Sequence, residues 1–215
     1  MNLKYKSYWR KSGLKGHWGD IYLNIIDKYK PRNFLEVGVF CGVTSRNTCD
    51  YLNNIHKNNF NFIGIDLFGL DKKSEVNEIE PDFLKDQKFS NPIKNFYYNI
   101  ILREKLNSIS SVSKLLNKYK KNVKLIQGDT NKILKTLDLK EIDFAFIDGG
   151  HSYKTVISDL NTIYSNIKGK NKVMLCDDYG NKSYISEVKK AVDDFVKNEN
   201  LKFNVVEERF AEIIT

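Results

Sequence analysis

Glu36-Val37-Gly38-Val39-Phe40-Cys41-Gly42-Val43-Thr44-Ser45 joins a short apolar run, Asn33–Val37, to a segment of helical period, Thr44–His56. Two glycines four positions apart let such a turn pass close beneath a ligand. The helix that follows offers unpaired backbone N–H groups at its start, with Thr44 placed to cap it. An acid stands before the first glycine. Glu36 would repel a pyrophosphate, so the turn differs from the GxGxxG of dinucleotide sites and suits an ammonium or sulfonium group. An ordinary strand–helix turn is the plain alternative.

Four more apolar runs follow at intervals: Asn61–Ile65, Val123–Gln127, Ile142–Ile147 and Lys172–Cys176. Each is short, rich in β-branched or aromatic residues and bounded by an acid or a glycine, which is how strands covered on both faces read. Helical patterns lie between them at Thr130–Thr136, Tyr153–Ile167 and Ser183–Asn198, with Thr130, Ser152 and Ser183 as expected N-caps. A helix at Asp20–Tyr29, closed by Pro31, precedes the first strand. The alternation predicts an α/β fold, a Rossmann-like, doubly wound and mostly parallel sheet. Lys202–Val206 and Arg209–Ile214 alternate polar and apolar residues across Glu207-Glu208, as an antiparallel C-terminal hairpin does.

One segment breaks the pattern. More than fifty residues separate Phe68 from Val123, about twice what a simple crossover needs. Its polar front (Asp71–Asp82) leads to expected helices around Lys94–Ile109 and Ser111–Lys120. We read residues 69–121 as a helical insert after the second strand, forming a lid, a surface elaboration or a dimer contact. The whole chain, 1–215, reads as a single domain, with residues 1–30 forming a basic N-terminal arm and helix.

Composition excludes several classes. With 41% hydrophobic and 29% charged residues the composition is that of an ordinary globular protein and argues against disorder. No run approaches the roughly 18 to 20 apolar residues of a membrane span, and the N-terminus lacks the apolar core of a secretion signal. Three cysteines without CxxC spacing argue against structural zinc and a disulfide framework, and for the cytoplasm. The net charge of +8 includes Lys4, Lys6, Arg10, Lys11 and Lys15, with no acid in the first sixteen residues. Such an arm can meet an acidic group, yet no recognition motif accompanies it, so nucleic acid is a disfavoured partner.

The chemistry-bearing residues lie where the strands end. Asp66 closes the second run and can accept hydrogen bonds from two ribose hydroxyls; Asp129, after Gly128, can reach an adenine amine. Together with Glu36 they place three acids at one crevice, and the ligand that fits is S-adenosylmethionine. The expected cofactor residues are Glu36, Gly38, Gly42, Thr44, Ser45, Asp66, Leu67, Gly128, Asp129, Thr130 and Asp148.

The later runs carry more specific text: IDGGHSY at Ile147–Tyr153, CDDYG at Cys176–Gly180 and KKAVDDF at Lys189–Phe195. In these the chain resembles class I methyltransferases of the branch that includes the macrocin O-methyltransferase family. The resemblance runs from about Phe34 to the C-terminus and is weakest in the insert. It implies the class I methyltransferase fold, in which a C-terminal hairpin is the usual ending. It also implies a divalent cation, Mg²⁺, on Asp148, Asp177 and Asp178, which suits an ion that takes a few carboxylates and keeps its waters.

Such a cation would lower the pKa of an acceptor hydroxyl beside the methyl donor. His151, with Asp148 the expected catalytic pair, would take the proton. Relatives place a lysine or an acid near that point, and Gly150 stands where some carry an acid. The plain alternatives are a helix-capping loop for Asp177-Asp178 and a capping or orienting role for His151. The expected activity is O-methylation of a small hydroxylated acceptor such as a sugar or glycosylated metabolite. A metal-independent methyltransferase and a catalytically silent cofactor-binding scaffold are the rivals, and a homodimer is the one oligomer envisaged.

Overall fold

The computed structural model describes residues 4–69, 89, 91–169, 171–180 and 186–215. Seven strands form one sheet: β1 (Asn33–Val37), β2 (Asn61–Asp66), β3 (Val123–Gln127), β4 (Phe144–Ile147), β5 (Val173–Cys176), β6 (Phe203–Val206) and β7 (Phe210–Ile214). Their order is β3-β2-β1-β4-β5-β7-β6. The first five are parallel, while β7 runs antiparallel to both β5 and β6. The order reverses between β1 and β4, and a doubly wound sheet opens its ligand crevice at the carboxyl ends of strands at that point.

Alternation along β1 divides the core. Leu35 and Val37 face a cluster with α6 (Tyr153–Ile167) and α7 (Ser186–Asn198), through Val156, Leu160, Val192 and Phe195. Phe34 faces the other way, with α1 (His17–Tyr29) and α2 (Val43–His56), through Tyr22, Ile26 and Leu52. Its ring is stacked between Phe62 (centroids 5.7 Å apart) and Phe144 (5.2 Å), so three adjacent strands share one aromatic row. Phe34→Ala should lower stability by about 3–5 kcal/mol, because the neighbouring rings are fixed by their strands and cannot collapse into the space. A fall in the urea midpoint with an unchanged m-value would show it.

Several boundaries differ from the sequence expectations, each for a local reason. The first helix begins at His17, three residues before Asp20, after Gly16 takes a left-handed φ of 48°. Thr44 is not the N-cap of α2. Gly42, at φ 75°, holds that position, and the Thr44 hydroxyl is 2.8 Å from that of Tyr5. Thr130 likewise yields to Asp129, whose carboxylate accepts from the Asn131 amide at the start of α5 (Thr130–Ile133). Ser152 caps α6 as expected, accepting from the Thr155 amide. Ser183 and the polar front of the insert lie outside the described residues.

The insert's first helix is shorter than its periodicity suggests. α3 (Pro92–Asn95), with proline in its first turn, continues as π-helical Phe96–Ile101. Arg103, at φ 48°, then turns the chain away, and α4 (Ile109–Leu115) starts from Ser108.

The basic arm is folded onto the domain. The Tyr5 amide donates to Asp20, its hydroxyl meets Ser12 and Thr44, and its ring lies where a side chain on Gly19 would otherwise be. The Arg10 guanidinium donates to the carbonyls of Cys41, Leu106 and Ser111, tying the glycine turn to the insert. Among the described residues no helix is long and apolar enough to cross a membrane.

Candidate active site

The strand ladders carry the site residues into place. The Asp148 amide donates to the Val37 carbonyl, and the Asp177 amide to that of Ile147, each one residue past its strand. The acids after β4 and β5 therefore stand beside the turn after β1. That turn is held from below: the Gly38 amide donates to Ile65, while Asp66 accepts from the amides of Val39 and Phe40 (both 2.8 Å) and of Phe68 (2.6 Å). A carboxylate offers about four acceptor positions, so Asp66 keeps roughly one for a ligand hydroxyl.

Glu36 is fully buried. Its Oε2 accepts from the Ser45 hydroxyl, whereas Oε1 has no hydrogen-bond partner among the described residues. Burial pushes its pKa up from 4.5 to about 8, the Ser45 bond opposes this, and Asp66 adds to it. A buried acceptor without a partner is costly unless a ligand donor reaches it. Gly38 lets the turn lie directly against the next strand end: at φ 90°, a Cβ on it would stand 1.9 Å from the Asp148 carbonyl oxygen. Asp129 is partly engaged, accepting from the amide and side chain of Asn131, and the Thr130 hydroxyl donates to Asp159.

Beside that turn lies a small cleft lined by Asp148, Gly149, His151, Asp177, Asp178 and Val188 among others. Carboxylate oxygens of Asp148 and Asp178 and a ring nitrogen of His151 lie within 4.8 Å of one another. His151 Nε2 is 3.4 Å from Asp178. Burial, then the charges of Asp177 and Asp178, hold the Asp148 carboxyl well above the usual carboxylate range. A cation between these groups would relieve that repulsion.

Asp177 points elsewhere. Its two oxygens take the Arg209 guanidinium, at 2.6 Å from Nε and 2.7 Å from the terminal nitrogen, and its side chain is buried. The structure thus brings Asp148, His151 and Asp178 together and leaves Asp177 behind them. Arg209 and Tyr5 are the site neighbours that sequence reasoning missed. Both reach the site from the far ends of the chain, and nothing in their local sequence marks them.

A methyltransferase-domain model matches residues 35–179. Among solved structures, the O-methyltransferase NovP is 17% identical, with 92% of this chain and 80% of that one aligned at a TM-score of 0.63. The Podospora anserina methyltransferase PaMTH1, solved with S-adenosylhomocysteine (SAH), is 14% identical over 91% and 76%, at 0.59. A TDP-rhamnose 3'-O-methyltransferase of calicheamicin biosynthesis is 14% identical over 90% and 77%, at 0.56. No curated protein matches the sequence. The matched span holds both glycines, the acids at the strand ends and His151, and the chain belongs to the methyltransferase-domain family, on the Rossmann-like class I fold.

Proposed function

We propose that the chain is an S-adenosylmethionine-dependent O-methyltransferase that acts on a small hydroxylated acceptor with the help of a divalent cation. The observation that carries this reading is the convergence of Glu36 and Gly38 with Asp148, His151 and Asp178 at neighbouring strand ends. The partnerless oxygen of Glu36 fits the ammonium of the donor's methionine moiety, and Gly38 lets the turn beside it pack directly on the Asp148 backbone. In this reading the rest of the predicted shell, Gly42, Ser45, Asp66, Leu67, Gly128 and Asp129, would complete the cofactor site, with the acceptor capacity left on Asp66 available to the ribose. The donor supplies an electrophilic sulfonium methyl.

Asp148 and Asp178 offer two carboxylates at the mouth of the cleft, a donor set suited to Mg²⁺. The ion would supply Lewis acidity, lowering the pKa of the acceptor hydroxyl. His151, oriented by Asp178, takes the proton from that hydroxyl as the methyl is transferred. A sugar acceptor is favoured because one structural neighbour is a TDP-rhamnose methyltransferase.

The reading predicts that titrating S-adenosylmethionine and then Mg²⁺ into the protein shows two binding events. Asp148→Asn should weaken the metal event, and His151→Ala should leave both events while lowering kcat about 10²–10⁴-fold on a vicinal-diol acceptor. Absence of the cofactor event would overturn the function. Absence of the metal event alone would leave a metal-independent transferase.

A further inference from the structure

We propose that Arg209 is a positioning residue for the cation site: it holds Asp177 out of the ligand set and fixes Asp178 toward His151. The inference rests on the metal-assisted reading above. The β5 end carries two adjacent carboxylates, and only one can face the cleft if the other is anchored. The Arg209–Asp177 contact is a paired, two-bond clamp with the carboxylate side chain 1% exposed. Bidentate guanidinium–carboxylate pairs fix orientation as well as charge.

The clamp is transmitted one residue along the chain. Asp177 Oδ1 also accepts from the Asp178 amide at 2.8 Å, and Asp178 sits at φ 60°, a left-handed conformation that needs surrounding support. That turn aims the Asp178 carboxylate at His151, with Arg209 3.8 Å from its other oxygen.

Arg209 is itself fixed from several sides. The Tyr179 amide donates to its carbonyl, and its guanidinium lies 5.4 Å from the Trp18 ring and 5.6 Å from that of Phe210. The β6–β7 turn approaches so closely that a Cβ on Gly180 would stand 1.3 Å from the Glu208 carbonyl oxygen. The C-terminal hairpin, outside the span matched by the methyltransferase-domain model, therefore decides which carboxylate reaches the cleft.

The experiment is a Mn²⁺ titration, followed by electron paramagnetic resonance and without substrate, on the full chain and four variants. Asp178→Asn should lose the ion, whereas Asp177→Asn, which weakens the clamp but removes no ligand, should lower the affinity only in part. The double variant Arg209→Met/Asp177→Leu removes both charges together and should keep the fold, as its thermal melt will show. Its Mn²⁺ affinity should nevertheless fall about 10–100-fold, although neither residue touches the ion. Arg209→Lys, which keeps the charge and loses the two-bond geometry, should fall in between and serves if the double variant does not fold.

Loss of Mn²⁺ in Asp177→Asn as complete as in Asp178→Asn would make Asp177 a ligand and overturn the proposal. So would wild-type affinity in the folded double variant or, where that variant does not fold, in Arg209→Lys. If wild type itself binds no Mn²⁺, the metal-assisted reading fails and this inference falls with it.

Discussion

Gly38→Ala yields a chain that no longer binds S-adenosylmethionine and is destabilised by at least about 3 kcal/mol. The added methyl has nowhere to go. It would stand 1.9 Å from the Asp148 carbonyl oxygen and 2.8 Å from the Gly149 Cα, both backbone atoms of the adjacent strand end. The residue's φ of 90° also disfavours any side chain. Relief requires parting β1 from β4 where the ladder delivers Asp148, so the cofactor turn and the acidic cleft fail together. Gly13→Ala is the control, since a Cβ there meets nothing within 4 Å. Urea unfolding and calorimetric cofactor titration of both variants make the test. A Gly38→Ala protein that melts and binds like wild type would show that the turn is not fixed in this way.

Glu36→Gln has its largest effect at high pH. The folded carboxyl titrates at about 8 against 4.5 for an unperturbed glutamate, because burial disfavours its charge. The folded chain therefore holds the proton more tightly than the unfolded chain. The stability linked to it is fully present below pH 4.5 and is lost as pH rises through 8, with a slope of at most about 1.4 kcal/mol per pH unit.

The stability curves of wild type and of the Glu36→Gln variant should lie parallel near pH 4 and diverge above 5, the variant being the more stable at pH 8.5. Cofactor binding should show the reverse preference. An ammonium favours the carboxylate, so binding at pH 7 should release a proton, visible as a dependence of the calorimetric heat on the buffer's ionisation enthalpy. The variant should release none at this site and bind more weakly by about 1.5–3 kcal/mol, the range for hydrogen bonds to charged groups. Parallel stability curves up to pH 8.5 would mean that Glu36 is ionised in the free protein.

The fold was legible because its signals are local. The five parallel strands announce themselves as short β-branched and aromatic runs, although β3 at the sheet edge is only partly buried, and the hairpin shows as two mixed polar and apolar runs about Glu207-Glu208. The acids at the strand ends were legible for the same reason, since a parallel ladder puts the residue after each strand at the crevice. What escaped depends on contacts distant in sequence. Asp177 and Asp178 read as equivalent neighbours, whereas the fold pairs Asp177 with Arg209, 32 residues on, and sets Asp178 beside His151. Thr44 reads as a cap until Tyr5, 39 residues earlier, is found against its hydroxyl. The insert's periodicity suggests a longer helix than the chain makes, because hydrophobic spacing does not register the left-handed turn at Arg103.

The three thiols have a use that their chemistry does not suggest. Cys176 belongs to the hydrophobic cluster under α6 and α7, Cys49 to the cluster under α1 and α2, and Cys41 to the small group where Tyr98 and Leu106 of the insert meet the glycine turn. All are free, buried and pushed by burial toward the unreactive protonated form. Each can be alkylated only when its own cluster opens. Pulse labelling with a small thiol reagent, read peptide by peptide, thus turns the native cysteines into three separate clocks. The Cys41 clock reports the parting of insert from cofactor turn without a single engineered probe.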